Sequence, residues 1–310
     1  MALDRAAAPG GRDSVRILVR VYLDSAHLMR VAKENAADYA RAEPFPHVVL
    51  DDVFPEEALD LALQHFPSPR SDVWKEYDNY HEVKLETQGE ERLPPELSLL
   101  LYQFNSAPFL AFLERLTGIA NLLPDPYFYG GGLHQIERGG KLGVHADFSA
   151  HGKLPLHRRL NVLIYLNRDW HEEWGGHLEL WDAERTACRK RVLPVFNRMV
   201  VFTITDWAFH GHPEPLTCPP DVTRKSIALY YFTVDRPAGE TMDGKVQTLF
   251  IERPGESVPA ETVFGRDDYS GLARDRFVPK NQRSSTRSVL KKLTPPLLVD
   301  IARRARRPKA

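Results

Sequence analysis

Between about Tyr127 and Val234 short apolar runs recur at close intervals, parted by Gly, Asn, Asp and Pro. The runs are GGLHQIE, RLNVLIYLN, GGHLELWD, KRVLPVF, RMVVFTIT and KSIALYYFTV. No helical repeat lies between them. A chain that sets strand after strand without crossover helices cannot build a βαβ sheet, so this stretch predicts an all-β sandwich or barrel.

The flanks have another texture. Residues 1–13, rich in Ala, Pro, Gly and Arg, read as disordered. Ser14 to Leu23 is β-branched and reads as a strand, and 24–42, opened by Asp24-Ser25, as a helix. A short strand is expected within 45–55, closed by a proline turn. Helices are expected over 56–66 and, as one longer element, over 95–117. The chain is therefore expected to be mainly β with flanking helices (α+β). Its parts are an extension over 1–44, a helical support region over 45–126, the β core over 127–236, an irregular extension over 237–284 and a basic tail over 285–310.

Residues 280–310 carry ten Lys/Arg against the single acid Asp300. Ser288 to Arg307 could form a basic helix broken at Pro295-Pro296, read first as a solvated face, with docking on an anionic partner as the sharper alternative. Over the whole chain the formal charge is only -1, which gives no bias toward nucleic acid. Cys188 and Cys218 are too few, and too far apart, for a disulfide framework or a cysteine zinc site. No run approaches the roughly 18 apolar residues of a membrane helix, and the first residues lack a leader's apolar core. The expectation is a cytoplasmic protein without a membrane span.

Within the β region GVHADF supplies His145 and Asp147. At a strand end, residues i and i+2 project from the same side. Two imidazoles and a carboxylate bind one face of a ferrous ion and leave positions open for other ligands. An HxD pair alone is a chance-level signal; its context strengthens it. FHGHPEPL supplies two candidates for the second imidazole, His210 and His212, on a later strand. TRKSIALYYF then supplies Arg224, whose planar fork suits a carboxylate, with Ser226 on the same strand face.

These motifs, HADF, RRLNVLIYLNRDWHEEWGGHLELWD, FNRMVVFTITDWAFHGHPEP and RKSIALYYFT, resemble the prolyl 4-hydroxylase-like branch of the 2-oxoglutarate (2OG) and Fe(II)-dependent oxygenases. The resemblance spans about residues 127–234. It implies a double-stranded β-helix, or jelly roll, with N-terminal helices against it. It implies metal ligands His145, Asp147 and His210, His212 being the alternative third ligand. It places Arg224 and Ser226 at the distal carboxylate of 2OG, with Tyr165 beside them. Gln135 stands where some relatives carry a cosubstrate-binding tyrosine. Fe(II), 2OG and O2 are the implied cofactor and cosubstrates, with ascorbate as a candidate reductant. The implied reaction is hydroxylation of an unactivated C–H bond, releasing succinate and CO2.

The substrate half is less constrained. The loop SAHGKLPLHR follows the metal pair, and loops so placed often touch substrate. His151, Lys153, Arg158 and Asn161 are its candidates, and a regular strand would turn Arg159 inward with Asn161 and Tyr165. Amino-acid, peptidyl (prolyl included) and other small-molecule substrates remain open. The rival readings are a cupin-like jelly roll that binds a metal or small ligand without oxidation, and a protein-modifying, oxygen-sensing hydroxylase. Arg224 with Ser226 separates the first rival, since a plain metal-binding barrel does not need them.

Overall fold

A computed structural model describes residues 20–87, 89–237 and 248–256. Helix α1 (Ser25–Arg41) begins where Asp24 accepts hydrogen bonds from the backbone N–H groups of Ala26 and His27, at 2.9 and 3.1 Å. Strand β1 (His47–Asp51) and helix α2 (Glu56–Gln64) follow as expected. Residues 20–23 are not a strand, and the rest of the 14–23 segment lies outside the described residues, as does the basic tail.

Two departures follow. A hairpin of β2 (Trp74–Asp78) and β3 (Glu82–Thr87) lies within what the sequence presents as a helical region. Its strands are rich in Lys and Glu, which hides a buried strand from a reading based on apolar runs. The expected helix over 95–117 is two helices, α3 (Pro95–Phe104) and α4 (Ala107–Thr117). Pro108 has no N–H to give to the Phe104 carbonyl, so the first helix stops and a second starts.

The remaining strands are β4 (Leu123–Pro124), β5 (Gly132–Ile136), β6 (Lys141–Ala146), β7 (His157–Tyr165), β8 (Leu178–Trp181), β9 (Cys188–Val192), β10 (Arg198–Thr203), β11 (His210–His212), β12 (Arg224–Thr233) and β13 (Leu249–Phe250). They join in one antiparallel path, β1-β10-β7-β12-β5-β3-β6-β11-β8-β9. The path curls into a nearly closed jelly roll, with its two halves face to face. Phe202 of β10 and His210 of β11, far apart along the path, have ring centroids 4.7 Å apart.

The two faces of the β10-β7-β12-β5 half differ. Outward, Leu160, Val162 and Ile164 of β7 and Ile227, Leu229 and Tyr231 of β12 pack under the helices, against residues such as Leu28, Leu97 and Phe109. Each such aliphatic side chain, fully buried, contributes roughly 1.5–3 kcal/mol. The Tyr231 hydroxyl donates to the Phe104 carbonyl at 2.9 Å and ties the sheet to α3. Alternation turns the intervening residues, among them Asn161, Tyr165, Ser226 and Tyr230, into the barrel.

One irregularity matters. β12 pairs Tyr230 with Asn161 and Tyr231 with Leu160, but then Phe232 with Arg158, so Arg159 is an extra residue. This bulge turns Arg158 inward beside Asn161. Arg159, expected inside, instead donates to the Thr233 hydroxyl and lines a surface cavity near the end of α4.

Candidate metal and cosubstrate site

His145, the penultimate residue of β6, lies directly opposite His210 on β11, and Asp147 follows two residues on. Gly211 makes this approach possible. A Cβ there would lie 2.6 Å from the Gly143 carbonyl oxygen and 2.8 Å from that of Leu142. The two imidazole rings stand 4.4 Å apart. Nε2 of His145 is 3.6 Å from Asp147 Oδ1, and Nε2 of His210 is 3.3 Å from Oδ2. One ligand atom from each of the three residues falls within 4.8 Å of the others, all three residues being buried.

Nδ1 of His145 lies 2.9 Å from the Gly143 carbonyl, and Nδ1 of His210 lies 3.0 Å from that of Ala208. A carbonyl only accepts, so each Nδ1 carries the proton and each Nε2 presents a lone pair. Burial, then the neighbouring His145, lowers the pKa of His210, which favours the neutral, metal-binding form. This donor set fits Fe(II): two imidazole nitrogens and one carboxylate on one side.

Asp147 is held from behind. Its Oδ2 accepts from Arg158 Nη2 at 3.0 Å and from Asn161 Nδ2 at 2.7 Å, while Asn161 Oδ1 accepts from Arg158 Nε at 2.9 Å. The guanidinium lies between two aromatic rings, 3.4 Å from the Tyr230 centroid and 4.3 Å from that of Phe148. Burial alone would raise the Asp147 pKa, but the charge of Arg158 and the contacts of the two histidines hold it well below the usual carboxylate value. Arg158 and Asn161, expected at substrate, are hydrogen-bonded to the Asp147 carboxylate.

His151, the third substrate candidate, is a staple of its own loop. Its Nδ1 accepts from the backbone N–H groups of Lys153 and Leu154, and its Nε2 lies 3.2 Å from Asp125 Oδ1. Lys153 places its ammonium 4.4 Å from the Tyr127 ring centroid.

Arg224 opens β12 inside the barrel. Its Nε donates to the Gly176 carbonyl at 2.8 Å, and its Nη2 lies 3.3 Å from the Tyr165 hydroxyl. Gly176 has φ +71°, and a Cβ on it would come 3.0 Å from the Arg224 side chain, so glycine leaves room for the arginine stem. Among the described residues no carboxylate pairs with this guanidinium, and burial lowers its pKa. Ser226 shares the face, opposite Tyr165 on β7 and His134 on β5. Gln135 does not. It pairs with Lys225 and Leu85 on the other face of β5, and its Nε2 donates to the Thr223 hydroxyl at 2.8 Å. This placement does not support the cosubstrate role expected for it.

The sequence reading did not identify β3. Lys84, on its inward face, lies 3.3 Å from Glu82 and 3.0 Å from Glu86. Burial would lower the Lys84 pKa, but the two glutamates raise it instead. His134 is held neutral, pushed down to about 3 by burial and then by Lys84. The EVKLET alternation was the available signal. The free cysteines Cys188 and Cys218 take no part in this centre.

Residues 131–232 match the family model of the 2OG-Fe(II) oxygenase superfamily. They form a 2OG-Fe(II) oxygenase domain. The fold is similar to that of a prolyl hydroxylase from Trichoplax adhaerens, solved with a hypoxia inducible factor oxygen degradation domain peptide fragment. That likeness has a TM-score of 0.50 at 17% identity, over 67% of this chain and 91% of that one. A structure of prolyl 4-hydroxylases from Phytophthora capsici matches at 21% identity and TM-score 0.46, over 70% of this chain and 68% of that one. HygX from Streptomyces hygroscopicus, solved with nickel, 2-oxoglutarate and hygromycin B, matches at 14% and 0.45, over 69% and 96%. No curated protein matches the sequence. Among the described residues no helix is long and apolar enough to cross a membrane.

Proposed function

We propose that the chain is an Fe(II)- and 2OG-dependent dioxygenase that hydroxylates a C–H bond of an amino-acid, peptidyl or other small-molecule substrate, a prolyl ring among the candidates. The observation that carries this reading is Arg224. A buried guanidinium without a carboxylate partner is costly, and an anionic ligand would offset that cost. A non-oxidative metal-binding barrel has no use for that cation beside a His-Asp-His group.

His145, Asp147 and His210 would hold Fe(II), which with 2OG would supply the oxidative chemistry: O2 would be consumed, one oxygen atom going to succinate (with release of CO2) and the other to the substrate C–H bond. The protein's own part is positional. His145 and His210 offer Nε2 lone pairs fixed by their Nδ1 contacts. Arg158 and Asn161 occupy Oδ2 of Asp147 and keep the carboxylate ionised, which leaves Oδ1 clear of those two donors. Arg224 fixes the far end of 2OG, and Phe148 and Tyr230 keep water from the guanidinium that holds Asp147. Ascorbate as an accessory reductant and a cytoplasmic location belong to the same reading.

The test is succinate release from 2OG with Fe(II), O2 and a panel of prolyl peptides, free amino acids and small molecules. Protein that fails to bind 2OG anaerobically, or binds it equally well without Arg224, would overturn the proposal.

A further inference from the structure

His212 is not part of the His145–Asp147–His210 group. It stands two residues beyond His210 on β11 and pairs with Leu142 of β6, the register shifting between the two histidines. The charged and imidazole groups that act on it are Arg224 first and then Lys84, His145 and His134. The residue is 4% exposed, and neither ring nitrogen has a hydrogen-bond partner among the described residues. Buried polar side-chain atoms almost always find partners, and an apolar residue would fill this position at less cost. Two buried ring nitrogens without partners, in the field of a buried arginine that has no carboxylate partner among the described residues, describe half of an anion site.

We infer that His212 is a second anchor for the distal carboxylate of 2OG, donating an N–H to that carboxylate alongside Arg224; this rests on the cosubstrate reading above. Arg224 already spends Nε on Gly176 and approaches Tyr165 with Nη2. These contacts leave Nη1 and one N–H of Nη2 for the ligand, and a carboxylate's two oxygens offer about four acceptor sites, more than those donors fill. An imidazole offers at least one N–H in either protonation state, so the contact does not depend on its titration. The arrangement also gives the HGH sequence a division of labour: His210 for the metal, Gly211 for the close approach of β11 to β6, and His212 for the cosubstrate.

The test is anaerobic titration of the Fe(II)-loaded full chain with 2OG and with 2-oxobutyrate, which keeps the 2-oxo acid head but lacks the distal carboxylate. His212→Leu should weaken 2OG about tenfold and leave 2-oxobutyrate unchanged. His212→Asn, which keeps a donor, should recover part of the loss. Mn(II) affinity without 2OG should be the same in all three proteins. Unchanged 2OG affinity in His212→Leu overturns the inference. Equal weakening of both acids overturns it by moving His212 to the 2-oxo head, and lost Mn(II) binding overturns it by making His212 a metal ligand. Wild-type protein that binds no 2OG overturns the cosubstrate reading itself. If His212→Leu does not fold, the wild type still decides. In histidine-15N-labelled, Zn(II)-loaded protein, 2OG but not 2-oxobutyrate should shift the His212 ring resonance, and an unmoved resonance overturns the inference.

Discussion

The outward and inward faces of β7 and β12 are made from alternate residues of the same strands, yet they are in opposite states. Outward, Leu160, Val162, Ile227 and Leu229 are completed by the helices and need nothing further. Inward, Arg224 has no counter-ion among the described residues, and His134, Arg158 and His212 each keep a buried nitrogen without a hydrogen bond. One face is finished by folding. The other is finished by binding, so a substitution should cost stability on the first and ligand on the second.

The largest expected effect is at the metal carboxylate. Asp147→Ala should reduce succinate release to background while far-UV circular dichroism stays native; retained turnover would place the carboxylate ligand elsewhere. Next, Arg224→Met should weaken 2OG about 100-fold, since charge-assisted bonds to a buried carboxylate are worth about 3 kcal/mol. The same variant should melt no lower than wild type, because it removes an unpaired buried charge. A large fall in melting temperature would show that the inner face also holds the fold together.

Two adjacent residues sharpen the contrast. Leu160→Ala, on the outer face, should cost about 2–5 kcal/mol in denaturant unfolding, with metal affinity unchanged in the folded fraction. Asn161→Ala, one step along, should cost metal affinity about tenfold with a smaller loss of stability. If both behave alike, the division between the faces fails. The smallest effect concerns pH. His134 is neutral when folded, with its pKa lowered to about 3 from an ordinary value of 6.5, so the unfolded chain binds the proton first on acidification. Its contribution is present above pH 6.5 and is lost progressively as pH falls toward about 3. His134→Leu should flatten that part of the stability profile measured by urea unfolding.

The same contrast separates what the sequence reveals from what it conceals. The outer face announces itself, because its period-2 apolar residues make the runs from which a barrel was expected. HADF and HGH were legible because a metal needs particular residue types, and strand pairing places His210 opposite His145. What stayed hidden depends on register and on polar burial. β2 and β3 are rich in charged residues, so the short EVKLET alternation does not read as an apolar run. Gln135 stands at the spacing from His145 where a cosubstrate contact was expected, but it lies on the other face of β5 from His134 and Ser226. His151, suggestive beside the metal pair, spends both nitrogens on its own loop and Asp125. The break between α3 and α4 was written in Pro108, and a stricter use of the missing N–H would have found it.

The bulge in β7 has a consequence for how such a site tolerates change. It falls on Arg158-Arg159, two neighbours of the same kind. A strand that lost the extra residue would still turn an arginine toward Asp147, from a backbone position one step along. The local frame is thus buffered against a slip in sign of charge, and what the bulge selects is the reach and angle of the guanidinium.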